Sequence, residues 1–319
     1  MSFLRQISLA FPLWLSSCFC GQVRVQSLDL GAAEKLPLGY NGLMKNDIEE
    51  ETDFQVEEST ERILQSLEQI ERERRVSILY AVESGSRAWG FASPDSDFDV
   101  RFIYVRPLED YLRIRPLRDV IESPLTPILD INGWDLPKAL TLFRASNPPL
   151  LEWLQSPIVY LEIGSLAAEL RELSKTYFSP RRMTYHYLSM ANRSWLDHIE
   201  GRTEAKPKKL LYVLRPLCCI LWLEQRNTPP PTSIHDTLRG VEIPQEARAG
   251  IAELIESKKS VLEEEFKPLP PTLIQFATRE IERLKELPRN LPDPDLPEEI
   301  LNELFRRQVR NWGNPGNIT

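Results

Sequence analysis

Two aspartates spaced by one residue are the side chains of this chain best suited to hold a divalent metal. Asp97 and Asp99 alternate with the apolar Phe98 and Val100. Because successive side chains of a β-strand point to opposite faces, this period of two predicts both carboxylates on one face of a strand. Two close carboxylates repel unless a cation lies between them, and Mg²⁺ commonly uses one or two carboxylates together with substrate phosphates. The pair therefore predicts a magnesium site, with a solvated acidic turn as the alternative.

A glycine-serine turn precedes the aspartates and has the features of a phosphate site. The aliphatic run Ile78–Val82 predicts a buried strand, after which Gly85 allows a tight turn. Ser86 is a good N-cap for a short helix, whose first N–H groups and dipole favour a bound phosphate. Arg87 adds a positive charge, with a plain surface position as its alternative. The alternative interpretation of the whole segment is an ordinary strand–turn–helix corner without a ligand.

Gly85, Ser86 and Gly90, a short gap, and then Ser96 to Val100 resemble the polymerase-β-type nucleotidyltransferase superfamily. The resemblance implies that the Gly-Ser turn holds a nucleoside triphosphate and that Asp97 and Asp99 bind two Mg²⁺ ions, with Mn²⁺ as an alternative metal. It also implies a third carboxylate, on a later strand, at the ion that activates the attacking hydroxyl. Gly85, Ser86 and Arg87 are thus expected nucleotide-binding residues.

Two aspartates compete for the place of the third carboxylate. Asp130 lies between Leu129 and Ile131, which is the apolar-Asp-apolar pattern of a strand. Asp135 precedes a predicted helix and suits an N-cap. Strand placement favours Asp130 as the third catalytic and metal-binding residue, and Asp135 stays the alternative.

Three longer segments make the resemblance more specific, namely Glu83–Phe91, Asp130–Asp135 and Ser146–Leu154. They resemble one subgroup, the predicted bacterial and phage nucleotidyltransferases linked to RNA repair. The likeness implies Mg²⁺-dependent transfer of a nucleoside monophosphate from a nucleoside triphosphate to an acceptor hydroxyl, with an RNA end as the expected acceptor. The alternatives are a protein adenylyltransferase of antitoxin type, a small-molecule nucleotidyltransferase, and a nucleotide-binding scaffold without turnover.

One apolar helix pattern in the second half carries a polar stripe. Within Pro207–Gln225, three exceptions to the apolar pattern, Lys208, Tyr212 and Arg215, have the spacing of one helix face. Lysine and arginine suit phosphate, and tyrosine can stack on a base, so the three are candidate nucleotide-binding residues. Side chains that reach out at the edge of the bundle are the alternative.

Charge and cysteine content restrict the class of protein. The net charge of −8 over 319 residues argues against unselective coating of nucleic acid. Residues 181–226 nevertheless hold nine Lys and Arg against four Asp and Glu, which indicates one polyanionic ligand in one place. The four cysteines and three histidines lack zinc spacing, so neither a structural metal nor a disulfide is expected. We expect a cytoplasmic protein with neither a membrane partner nor an obligate protein partner.

The order of predicted elements gives an α+β or α/β fold with four segments. Residues 1–43 are expected to be a non-native or disordered extension, because Met44 opens a plausible charged beginning. Residues 44–160 mix strands and helices and predict a small mixed-sheet catalytic domain. Residues 161–288 are predicted to form a helical bundle that binds substrate, and residues 289–319 a Pro-rich linker with a last helix.

Overall fold

The computed structural model describes residues 59–123, 128–259, 265–285 and 297–313, so the predicted extension 1–43 lies outside the described residues. Strands and helices alternate in the first part of this range, as the sequence pattern predicts. The strands are β1 (Ser77–Glu83), β2 (Phe98–Val105), β3 (Val120–Glu122), β4 (Leu129–Asp135), β5 (Val159–Glu162), β6 (Glu204–Ala205) and β7 (Lys267–Pro268).

The first five strands form one mixed sheet in the order β3-β4-β2-β1-β5. Strands β2 and β4 run parallel, whereas the other neighbours in this sheet are antiparallel. The parallel register places Asp99 directly opposite Asp130. The two aspartates that the sequence separates by thirty residues therefore become neighbours at one end of the central strands.

The helices follow the sequence pattern in kind, with several changes of extent. They are α1 (59–74), α2 (Gly85–Trp89), α3 (Leu108–Tyr111), α4 (Leu136–Arg144), α5 (Pro148–Leu154), α6 (Leu166–Leu173), α7 (Pro180–His198), α8 (Pro207–Arg226), α9 (Ile234–Gly240), α10 (Gln245–Lys259), α11 (Pro271–Lys285) and α12 (Glu299–Trp312). The short α9 is absent from the sequence prediction. Within the segment 161–288, which was predicted to be helical, Lys267 pairs with Ala205 in a small antiparallel ladder.

The sheet has a helix layer on each face. On one face, Ile63, Leu67 and Ile70 of α1 pack in one buried cluster with Val100 and Phe102. On the other face, side chains such as Ile103 join the larger core, which continues through α4 to α8 and on to α12. Because strand side chains alternate, Asp99 lies on the same face as Ile103, toward the helices.

The predicted division near residue 160 stays a prediction about folding units, while the larger apolar core runs across it. The fold class is confirmed: a small mixed sheet is followed by a largely helical second half, whose exception is the ladder of β6 and β7. Within the described ranges, no helix combines the length and the apolar character needed to cross a membrane.

Candidate active site

Asp99 and Asp130 form the centre of the site. They lie opposite each other on the parallel strands β2 and β4 and are part-exposed, with 23% and 29% of their side chains accessible. Arg101 connects them, since its Nη2 lies 3.0 Å from Asp99 Oδ1 and 2.7 Å from Asp130 Oδ2. One guanidinium thus balances two carboxylates that would otherwise repel each other.

The ionisation of Asp99 reflects these neighbours. Burial raises the pKa of the Asp99 carboxyl, and the negative charges of Asp97 and Asp130 raise it further. The positive charges of Arg101 and Lys208 act in the opposite direction and lower that pKa. Near the start of β2, burial and two neighbouring acids therefore oppose the ionisation of Asp99, and two cations favour it.

Gly85 brings the turn against Asp99. Its φ of +60° is a conformation that other residues rarely adopt, and a Cβ there would lie 1.9 Å from Asp99 Oδ2. The backbone N–H of Ser84 also donates to the Asp99 carbonyl oxygen at 2.8 Å. The Gly-Ser turn and the aspartate strand are therefore in direct contact.

Ser86 has a different local role from the predicted one. Helix α2 begins at Gly85 with Ser84 at its N-cap, so the expectation that Ser86 caps the helix is wrong. Ser86 lies in the first turn and is only 4% exposed. With Gly85 occupying the start, the helix begins two residues earlier than an N-cap at Ser86 would give.

Arg87 and Asp97 lie on the loop side of the turn. Arg87 donates from Nη2 to the Ser96 carbonyl oxygen at 2.7 Å and from Nε to the Asp97 carbonyl oxygen at 3.2 Å. Its guanidinium also lies 3.9 Å from the centre of the Phe98 ring. Asp97 itself is exposed and comes directly before β2. Arg87 therefore fixes the backbone from which the Asp97 carboxylate projects.

Glu83 is a buried acid behind the site that sequence reasoning did not single out. Its carboxylate accepts the backbone N–H of Asp99 at 2.8 Å and the Tyr160 hydroxyl at 2.5 Å. Burial raises the pKa of Glu83 to about 7, against the lowering effect of these two hydrogen bonds. The signal available in the sequence was an acidic residue directly after the apolar run Ile78–Val82 and just before the Gly-Ser turn.

The stripe on α8 faces this corner of the sheet. Lys208 lies close enough to lower the pKa of Asp99, and Tyr212 packs edge-on against the Trp89 ring of α2 at 5.7 Å. Arg215 is 2% exposed and forms an ion pair with Glu152 at 3.0 Å. The contacts of Lys208 suit the predicted nucleotide-binding role, whereas those of Arg215 make it a structural tie between α8 and α5.

Asp135 lies in another part of the molecule. Five residues along β4 from Asp130, it projects from the opposite face of the sheet, at a distance of roughly 16 Å along the strand. It is 5% exposed, lies 3.0 Å from Arg106 Nε and accepts the Tyr111 hydroxyl at 2.6 Å. This buried network leaves Asp130 as the aspartate that meets Asp99.

The carboxylates have the hard oxygen ligands that Mg²⁺ prefers, but their arrangement is not a finished metal site. Among the described residues, no three Asp, Glu, His or Cys side chains are grouped so that they could hold a metal ion. Arg101 occupies the oxygens of Asp99 and Asp130 that face each other. The oxygen donors thus fit the metal in chemistry, and two of these acids, Asp99 and Asp130, already hold the Arg101 guanidinium.

Comparison with known proteins identifies the class to which this fold and site belong. Residues 60–307 match RlaP, the RNA repair pathway DNA polymerase beta family. This match covers most of the chain, and the chain belongs to that family. The protein is therefore related to the polymerase-β-type nucleotidyltransferases, as the Gly-Ser and Asp-x-Asp motifs indicate.

The chain is also similar to individual proteins, of which two are described here. An uncharacterized protein of Bacillus subtilis (strain 168), YcgL, is 43% identical over 258 residues, which cover 80% of this chain and 99% of that protein. A crystal structure of a nucleotidyltransferase-like protein from Exiguobacterium sibiricum 255-15 matches 78% of this chain and 81% of its own chain. That match has 12% identity and a TM-score of 0.27, too low to support an argument.

Proposed function

We propose that the protein transfers a nucleoside monophosphate from a nucleoside triphosphate to the hydroxyl of an RNA end. The observation that carries the proposal is that Asp99 meets two groups at once. Asp130 lies opposite it on β4, and the backbone of Gly85 packs closely against it. Membership of the polymerase-β-type family supports the reaction class. A phosphate turn beside paired carboxylates is what phosphoryl transfer to a hydroxyl requires.

In this reaction the acceptor oxygen forms a bond to the α-phosphorus while the bond from that phosphorus to the bridging oxygen of pyrophosphate breaks. The acceptor proton passes to solvent. Asp97, Asp99 and Asp130 would hold two divalent ions, which when bound supply positive charge at the attacking and leaving oxygens. Arg101 is proposed to leave the carboxylates as ions arrive, which frees its guanidinium to pair with phosphate.

The remaining residues are proposed to position the aspartates and to neutralise the charge of the phosphates. The backbone N–H groups at Gly85 and Ser86 are proposed to bind the β- and γ-phosphates, with Lys208 adding positive charge from α8. Arg87 keeps the Ser96–Asp97 backbone in place, and Glu83 holds the Asp99 amide. The cationic α7–α8 region, residues 181–226, supports RNA as the polyanionic acceptor.

The test is incubation of the purified protein with each α-labelled nucleoside triphosphate, Mg²⁺, and mixed RNA or protein acceptors. Label on RNA is expected, because both the family and the basic stretch indicate it. Label on protein would show that the acceptor is a protein and not RNA, while the reaction would still be nucleotidyl transfer. If no acceptor gains label while the triphosphates stay intact, the proposal is wrong.

A further inference from the structure

A buried lysine of the helical half contacts the loop that leads to Asp97. Lys258, near the end of α10, is 2% exposed. Its Nζ donates to the Phe91 carbonyl oxygen at 2.8 Å and to Ser93 Oγ at 3.3 Å. The residues that meet here are 167 and 165 positions apart in the chain, so the contact depends on the packing of α10 beside the residues that follow α2.

Two buried serines hold this loop, residues 91–97, together. Ser96 Oγ accepts the backbone N–H of Ser93 at 3.0 Å and lies 3.0 Å from Ser93 Oγ. The two serines are only 5% and 3% exposed, whereas the next residue, Asp97, is exposed. Lys258 thus bonds to the buried part of the loop, and Asp97 follows at its exposed end.

A second helix of the helical half contacts the residue before this loop. His235 Nε2 of α9 lies 3.0 Å from the Gly90 carbonyl oxygen. A Cβ at Gly90, whose φ is +86°, would lie 2.9 Å from the His235 ring. The successive carbonyl oxygens of residues 90 and 91 are therefore each in contact with a different helix of the second half.

The burial of this ammonium indicates a role beyond filling space. Lysine is almost never fully buried unless its charge has partners. Removal of an ammonium from water is costly and is offset only where good hydrogen-bond partners are in place. An apolar side chain would fill the same space without that cost. The lysine therefore indicates that its bonds to the loop matter for the structure of the site.

We propose that Lys258 is a positioning residue for Asp97. By fixing the start of the loop 91–97, its ammonium limits the positions open to the exposed Asp97 carboxylate and keeps it near Asp99, on whose pKa the charge of Asp97 already acts. Arg87 fixes the other end of the same loop through two backbone carbonyl oxygens. This inference rests on the proposed function, in which Asp97 helps to hold the divalent ions.

The test compares Lys258→Met, which keeps an unbranched stem and removes the ammonium, with a control at the next residue. Lys259→Met is that control, because Lys259 is exposed and its ammonium pairs with Glu256 at 2.8 Å. Ser93→Ala removes a hydroxyl that Lys258 contacts and leaves α10 unchanged, so it serves as a second variant. Electron paramagnetic resonance gives the Kd for Mn²⁺, and amide hydrogen exchange compares the loop 91–97 with α7 and α8.

Lys258→Met is expected to weaken Mn²⁺ binding about tenfold and to speed hydrogen exchange in the loop but not in α7 or α8. Ser93→Ala should change both in the same direction, and Lys259→Met should change neither. An unchanged Mn²⁺ affinity overturns the proposal, as does faster exchange in all three segments, which would show a general loosening of the fold. Weaker Mn²⁺ binding without faster exchange in the loop overturns it too. If Lys258→Met does not fold, the same outcomes in Ser93→Ala decide.

A transfer assay separates this inference from the proposed function. If the wild-type protein binds Mn²⁺ but transfers no label, and Lys258→Met shows the expected losses, the reaction is wrong and the positioning role stands. If the wild-type protein transfers label and Lys258→Met keeps its Mn²⁺ affinity, the positioning proposal alone is wrong. A wild-type protein that binds no Mn²⁺ overturns this inference, while the transfer assay still decides on the reaction.

Discussion

At the scale of single residues, the site depends on the balance of charges near the start of β2. Asp99 and Asp130 face each other, and Arg101 lies between them, with Lys208 contributing positive charge from α8. Arginine and a divalent ion would satisfy the same carboxylate oxygens. A metal ion bound as proposed would therefore compete with Arg101 for the two carboxylates.

Removal of this internal cation should strengthen metal binding. Arg101→Met keeps an unbranched stem but removes the guanidinium, which leaves Asp99 and Asp130 to repel each other, so we expect Mn²⁺ to bind at least about fivefold more tightly. Electron paramagnetic resonance of free Mn²⁺ measures this directly. Arg118→Met is the control, because Arg118 forms only an exposed ion pair with Glu122. Equal or weaker Mn²⁺ affinity in Arg101→Met would contradict the competition.

Glu83 should make folding depend on pH in a defined window. Its pKa rises to about 7 in the folded protein because it is buried, while the unfolded chain ionises near 4.5. Between these values the folded state holds a proton that the unfolded state has lost, so stability falls as pH rises from about 4.5 to 7. The cost above pH 7 is on the order of 3 kcal/mol.

The glutamine in Glu83→Gln cannot titrate, so this variant should not lose stability as the pH rises. The free energy of unfolding of Glu83→Gln, relative to wild type and measured with chelator present, is expected to increase between pH 5 and 7 and then level off. Glu122→Gln, a change at an exposed acid, serves as the control. A difference that stays constant over this range would show that Glu83 is not protonated at neutral pH.

At the scale of elements, the corner of β1, α2 and β2 is built around a close approach of backbone to side chain. Gly85 has a positive φ and no room for a Cβ beside Asp99. Its neighbour Ser84 donates from its N–H to the Asp99 carbonyl, so turn and strand hold each other. This local arrangement, and not the length of α2, positions the proposed phosphate site.

A methyl group at position 85 should test this corner. Gly85→Ala adds strain at a φ of +60°, about 1–2 kcal/mol, and pushes a Cβ against Asp99 Oδ2. Gly201→Ala is a matched control, because Gly201 has a φ of +71° and nothing within 4 Å of its added Cβ. Urea unfolding and a transfer assay should show loss of activity and extra destabilisation only in Gly85→Ala. Equal behaviour of the two variants would contradict the close approach.

Much of this corner could be predicted from sequence because it is local. The period of two around Asp99 predicted its face, and the apolar-Asp-apolar pattern favoured Asp130 over Asp135. Contacts that join distant segments could not be predicted, because they depend on register and packing. The bridge by Arg101 needs the alignment of β2 with β4, and the pairing of Arg215 with Glu152 needs α5 and α8 side by side.

At the scale of the whole molecule, the sheet and the helical half share one apolar core. Side chains from α4 to α12 belong to the same apolar cluster as Ile103, which lies on the face of the sheet that also carries Asp99. The proposed nucleotide site thus lies where the two halves meet, with Lys208 and Tyr212 supplied by the second half. A substrate held there contacts both halves at once.

This shared core predicts that the sheet does not fold independently. A fragment of residues 59–162 would expose the face that includes Ile103 and Leu79, both fully buried in the intact chain. We expect no cooperative unfolding transition for the fragment by circular dichroism, in contrast to the full chain. A sharp transition in the fragment would show that the first half is an autonomous domain.

The measurement that bears most directly on the central claim is transfer of label from an α-labelled nucleoside triphosphate to RNA by Asp99→Asn and Asp130→Asn proteins. Each change removes a charge from the proposed site and is expected to lower the rate at least about a hundredfold, roughly 2.7 kcal/mol of activation free energy. Asp119→Asn, at an aspartate paired with Lys138 outside the site, should keep the wild-type rate. Folded Asp99→Asn and Asp130→Asn proteins that transfer label at the wild-type rate would contradict the claim.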